Sequence, residues 1–314
     1  MSVVLCECAA RDGLQHEPNV VPTQAKIDMV NTFTGMGFTR VEVTSFSHPR
    51  YVPQFADAEI VLREVVRRAN VSLKAVCVNG TAVRRAIATV DAGYGPDEIS
   101  VVVSASEAHS RFSTHRTHEA IRSELDQVVP LAQDAGLKVG GTIATAFGCP
   151  FTGQIDYAAL RTWVQYFVDR GVGFVSLGDT TGMAVPRSVE AVYERLMVEF
   201  PQVEFAAHFH DTRGAGILNT FTALRAGVTH VDSAFGGLGG HPAKIKYAEG
   251  HTGNVSTEDL VAMLNASGYV TGVDSNELVP VALMVERILG RELYSRVARA
   301  GLATDLIPLE KDAR

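Results

Sequence analysis

No stretch of this sequence is apolar for long enough to cross a bilayer. The N-terminus, Met1-Ser2-Val3-Val4-Leu5-Cys6-Glu7-Cys8, has no basic segment of the kind that opens an export signal. Positive charge is also scarce: 28 Lys and Arg stand against 35 Asp and Glu, a net charge of −7 with a pI near 5.8. A face that neutralises nucleic-acid phosphates or anionic lipid is therefore not expected. There are only four cysteines, Cys6, Cys8, Cys77 and Cys149. Cys6 and Cys8 lie two apart on one expected strand, too strained a geometry for a mutual disulfide. Small buried thiols in a reduced, cytoplasmic protein account for them better than thiolate metal ligands do. Low-complexity tracts and breaks in composition are missing too, which argues against modules joined by linkers.

What is present is a repeated unit: a short β-branched run, a loop with Gly, Asp or Pro, then an amphipathic stretch. The runs are 3–8, 40–45, 72–78, 98–104, 137–144, 173–177, 203–208 and 229–234. Their expected helices are 23–35, 57–69, 81–91, 119–135, 156–169, 186–199, 216–226 and 256–265. Thr23 is suited to an N-cap, Pro186 to a first helical turn, and Ser256 with Glu258 and Asp259 to a helix N-terminus. Eight such units in series, within 314 residues, predict an α/β protein with a (β/α)8 barrel over 1–270. Residues 271–314 are expected to add helix on its outside.

In such barrels the active site lies at the C-terminal ends of the strands. The polar residues expected there are Arg11 and Asp12, Glu42 and Thr44, Asp179 and Thr180, and His208 and His210. Successive strand side chains alternate, so His208 and His210 face the same way and make half a metal site. By itself an H-x-H pair is as readily a pair of hydrogen-bonded core histidines. The convergence of ionisable groups on one mouth favours the metal, because such groups are costly unless they bind something. Asp12 can add a carboxylate and Asn254 a carbonyl oxygen. That N₂O₂ set, with open positions, suits Mg²⁺ or Mn²⁺, or Co²⁺, more than zinc.

The following motifs stand in order along nearly the whole chain: Ala10-Arg11-Asp12-Gly13-Leu14-Gln15, Val41-Glu42-Val43-Thr44-Ser45-Phe46, Val52-Pro53-Gln54, Gly148-Cys149-Pro150-Phe151, Leu177-Gly178-Asp179-Thr180, His208-Phe209-His210-Asp211-Thr212, Gly237-Leu238-Gly239-Gly240 and Gly253-Asn254. The chain resembles the 3-hydroxy-3-methylglutaryl-CoA lyases, within the metal-dependent barrel lyases that also include isopropylmalate and homocitrate synthases. The resemblance implies a divalent cation held by Asp12, His208, His210 and Asn254, with Arg11, Glu42 and Asp179 around an acyl-CoA thioester. It implies retro-Claisen cleavage: the cation lowers the pKa of the 3-hydroxyl, Asp12 or a water held by Glu42 takes its proton, and Arg11 meets the enolate oxygen. It also implies a homodimer.

One position departs from that pattern. Where the lyases carry a cysteine after Gly-Leu-Gly-Gly, this chain has His241, followed by a longer loop through Lys244, Lys246 and Tyr247 to His251. His241 is the candidate replacement proton donor, with His251, Tyr247 or a metal-bound water as alternatives. Lys244, Lys246, Arg50 and Arg111 could reach CoA phosphates, and Gly236–Gly240 reads as the hinge of a lid. The acyl group is left open between hydroxymethylglutaryl and a relative such as citramalyl, and a non-catalytic thioester-binding homologue is the alternative of another class.

Overall fold

A β-branched strand followed by a helix buries both of its faces if strands pair in parallel and helices lie outside. The computed structural model, which describes residues 1–239 and 253–305, has that arrangement. Its strands are β1 (Val4–Glu7), β2 (Arg40–Ser45), β3 (Ser72–Cys77), β4 (Glu98–Ser104), β5 (Lys138–Ala144), β6 (Phe174–Asp179), β7 (Glu204–Phe209) and β8 (His230–Ser233). They pair in chain order, all parallel, and β1 closes on β8. The helices are α1 (Thr23–Gly35), α2 (Ala58–Glu64), α3 (Gly80–Asp91), α4 (Glu107–Thr114), α5 (His118–Asp134), α6 (Tyr157–Val168), α7 (Pro186–Glu199), α8 (Gly216–Arg225), α9 (Thr257–Ala266), α10 (Leu278–Leu289) and α11 (Val297–Ala300). No described helix is long and apolar enough to cross a membrane.

Local chemistry explains most of the boundaries. Pro186 opens α7, and Ser256 caps α9 by accepting from the Asp259 N–H. Three expectations need correcting. Pro22 holds the cap position of α1, and Thr23 lies inside the helix, its hydroxyl donating to Asp57. Helix α2 stops at Glu64, because Val65 turns extended and the Val66 N–H goes to Asn31 Oδ1. Helix α4 was not foreseen; it fits into the β4 loop because Ser106 accepts from the His109 N–H.

The outer faces of the strands pack on the helices through a continuous apolar layer that includes Phe33, Trp163, Phe167, Tyr193 and Phe235. The interior is different. Arg40 on β2 reaches across the barrel to lie 4.2 Å over the Phe174 ring on β6, and it forms a two-pronged ion pair with Glu98 on β4. By alternation Glu42 shares the face of Arg40, and Lys74 is its register partner on β3. The β2–β3 register slips just beyond that pair, between Glu42 and Thr44. A barrel interior is ordinarily layered with branched apolar side chains. Here charges occupy it, and each must be matched by an opposite charge or a hydrogen bond.

Candidate metal centre and active site

Directly after β1 the chain makes one π turn, Ala9–Gly13, closed by Gly13 N–H to the Cys8 carbonyl at 3.1 Å. Such single turns recur at functional sites because the extra residue re-aims side chains. This one presents Arg11 and Asp12. Opposite it, β7 carries His208, and His210 follows directly after its last residue, the two imidazoles projecting together. Asn254 lies beside His210 in an antiparallel bridge, and backbone bonds tie Asp211 to Gly253 and Val255 to Phe209.

These side chains meet. His208 Nε2 and His210 Nε2 are 3.2 Å apart and lie 3.9 Å and 3.8 Å from Asp12 Oδ2. The candidate ligand atoms of Asp12, His208 and His210 all fall within 4.8 Å of one another. Asn254 Nδ2 donates to Asp12 Oδ2 at 2.6 Å and to the Leu238 carbonyl at 2.9 Å. Its Oδ1 is buried without a hydrogen-bond partner among the described residues. A buried amide oxygen left so is expensive, and a cation would satisfy it. The donor set therefore fits a divalent ion. Gly239, at φ +139°, lies so close to Asn254 Nδ2 that a Cβ there would collide with it.

Charge is organised around the same centre. Arg11 donates to Glu42 through Nε and Nη2 and to Asp12 Oδ1 through Nη1 at 2.7 Å. Burial works against ionising Asp12, but Arg11, His208, His210 and the Asn254 amide outweigh it and hold its carboxyl well below the usual range. Burial likewise opposes the charge on Asp232, and Lys74, His208 and Arg40 overcome it. Asp232 Oδ2 faces His208 Nδ1 at 3.1 Å. A carboxylate there orients the ring and makes Nε2 the free donor atom, as metal-bound histidines require.

Arg11, Asp12, Glu42, His208, His210 and Asn254 are thus brought together. Asp179 is not hydrogen-bonded to them: its Oδ1 accepts from the Met183 and Ala184 N–H groups at 2.8 and 3.0 Å, and its Oδ2 has no described partner. Burial pushes Asp179 up to about 7, those two N–H groups pulling the other way. Thr44 is buried on β2, and Thr180 accepts from the Thr145 N–H. Arg111 is exposed and paired with Glu107, and Arg50 is exposed. His241, Lys244, Lys246, Tyr247 and His251 lie outside the described residues.

Four participants lie outside the site motifs read from the sequence, Glu258 having been expected only at a helix N-terminus. Asp232 and Lys74 stand among apolar neighbours in strands, a pattern that signals an inward charge once the strand is known to face the interior. Glu7 and Glu258 are fully buried. Glu7 accepts from the Ala9 and Phe235 N–H groups and the Thr257 hydroxyl, and Glu258 from the Gly236 N–H and the Ser256 hydroxyl. Together they anchor the turn that carries Asp12 and the turn Phe235–Gly237, whose next residue, Leu238, accepts from the Asn254 amide.

Fold and site define a class: a closed (β/α)8 barrel gathering a carboxylate, two imidazoles and a carboxamide, with an arginine beside them. More particularly, the chain belongs to the HMGL-like family, which matches residues 2–285. It is 36% identical to a hydroxymethylglutaryl-CoA lyase of Bacillus subtilis over 294 residues, 94% of this chain and 95% of that protein. An (R)-citramalyl-CoA lyase of Chloroflexus aurantiacus is 33% identical over 306 residues, covering 96% and 95%. Among solved structures, an HMG-CoA lyase from Acinetobacter baumannii in complex with coenzyme A and 3-methylmalate matches with a TM-score of 0.90 and 35% identity over 98% of each chain.

Proposed function

We propose that this carbon–carbon lyase cleaves 3-hydroxy-3-methylglutaryl-CoA to acetyl-CoA and acetoacetate. The observation that carries the reading is the meeting of Asp12, His208 and His210 within one ion's reach, next to an arginine clamped by two carboxylates. Asp12, His208, His210 and Asn254 would hold Mg²⁺ or Mn²⁺. Once bound, that ion supplies Lewis acidity to the 3-hydroxyl and orients the C2–C3 bond.

The remaining steps belong to side chains. The hydroxyl loses its proton, the C2–C3 electron pair leaves into the thioester as an enolate, and C3 becomes the ketone carbon of acetoacetate. The proton passes to the Asp12 carboxylate or, relayed through a water, to the Glu42 carboxylate. Arg11, whose pKa is raised by Glu42 and Asp12 against the effect of burial, stays cationic and meets the enolate oxygen. His241 is assigned the protonation of the enolate carbon that completes acetyl-CoA. Asp179 enters the proposal through the turn over 180–184, which its carboxylate shapes beside the mouth. We further assign residues 1–270 to the catalytic barrel and 271–314 to an extension on it, and take the active form as a cytoplasmic homodimer.

The (R)-citramalyl-CoA lyase similarity motivates a second substrate. Metal analysis followed by a coupled acetyl-CoA release assay on both thioesters tests the reading. Fastest turnover is expected on hydroxymethylglutaryl-CoA. Faster citramalyl-CoA cleavage reassigns the substrate, and a protein that binds Mn²⁺ but turns over neither thioester overturns the lyase reading.

A further inference from the structure

The mechanism above makes no use of Lys74, a lysine only 4% exposed inside the barrel. Its Nζ lies 2.7 Å from Glu42 Oε1, and the two residues are register partners on β3 and β2. Glu42 is itself 1% exposed, and its other oxygen, Oε2, receives Arg11. Arg11 continues to Asp12 through Nη1. The four side chains form a line of alternating charge, Lys74–Glu42–Arg11–Asp12, running from the barrel interior up to the proposed cation. We propose that Lys74 is a positioning residue for the lyase reaction, holding one oxygen of Glu42 so that the other aims Arg11 at the enolate.

Geometry gives the reason. A carboxylate has two oxygens, and Glu42 divides them between two cations. Without Lys74, Oε1 is buried with no donor among the described residues, and the carboxylate can rotate toward Arg11 Nη1, competing with Asp12 for it. Arg11 would then lose the two-point grip that sets its plane. The lysine also carries positive charge toward Asp232, the partner of His208, so it serves both halves of the site. A merely structural ion pair predicts the opposite behaviour. Removing one partner of such a pair costs stability, because it leaves a buried charge uncompensated, but the turnover of the folded protein stays the same.

The inference rests on the proposed lyase function, and its test separates the two. Lys74→Met keeps the stem volume and removes the charge. With hydroxymethylglutaryl-CoA and Mg²⁺, its kcat is expected to fall about 10–100-fold, the usual effect of losing an outer partner of a site, while KM stays within about threefold. The double variant Lys74→Met/Glu42→Gln should be no slower than Glu42→Gln alone, because both changes break one line of contacts. Lys74→Met with wild-type kcat, or a double variant about tenfold or more below Glu42→Gln, overturns the inference. Should Lys74→Met fail to fold, the comparison of the double variant with Glu42→Gln still decides. A wild-type enzyme that cleaves no thioester instead overturns the lyase reading, and the positioning role falls with it.

Discussion

Arg11 has two carboxylates beside it and belongs to neither alone. Glu42 fixes its plane and Asp12 fixes its position, so that its guanidinium stands next to the proposed ligand set without displacing it. Arg11→Gln should therefore separate binding from chemistry. Removing one donor to a developing oxyanion costs on the order of 10²–10³ in rate, while Mn²⁺ affinity should hold. Steady-state kinetics alongside metal titration check this, and parallel loss of both would make Arg11 part of the ion's cage instead. These residues were legible beforehand because each belongs to a motif: Arg11-Asp12-Gly13, Val41-Glu42-Val43, His208-Phe209-His210. Lys74 and Asp232 were not, because a buried charge has meaning only beside a partner from another strand. Glu42 and His208 supply those partners, from 32 and 24 positions away by residue number.

At the level of elements, alternation and capping made most strands and helices readable, and β2, β4, α1 and α7 have the expected limits. What could not be read was how the loops are held. The turn Phe235–Gly237 is clasped by two buried carboxyl groups, and Leu293, just beyond α10, packs where a Cβ on Gly236 would have to go. Burial pushes Glu7 up to about 8 and Glu258 to about 7, their hydrogen bonds only partly offsetting it. Each is then protonated in the native protein at a pH where the unfolded chain, near 4.5, has already released the proton. That contribution to stability is complete below 4.5 and is lost as pH rises toward 7 and 8. Its slope is about 1.4 kcal/mol per pH unit per group at most. Urea midpoints measured from pH 5 to pH 8 should fall, and Glu7→Gln, which keeps an accepting oxygen, should flatten the curve. An identical slope in that variant would mean that Glu7 is ionised throughout.

For the whole molecule, a cation that binds only the closed barrel stabilises it by mass action. At a concentration 100 times Kd the gain is about 2.7 kcal/mol, which for a chain of this size corresponds to roughly 5 °C in Tm. Chelation should lower Tm by that order, and Mg²⁺ or Mn²⁺ should restore it. A midpoint indifferent to chelator would show that no resident ion contributes to the fold.

The bond between Asn254 and Asp12 joins positions 242 residues apart, and the two histidines arrive at the end of the seventh strand and just past it. No early portion of the chain holds three of the proposed ligands, since Asp12 waits for partners that come two-thirds of the way along. Capture of an ion during refolding would therefore be a late event, a clock that starts only when β7 has docked and the ring has shut. Paramagnetic Mn²⁺ could time the completion of the barrel as directly as it reports on catalysis.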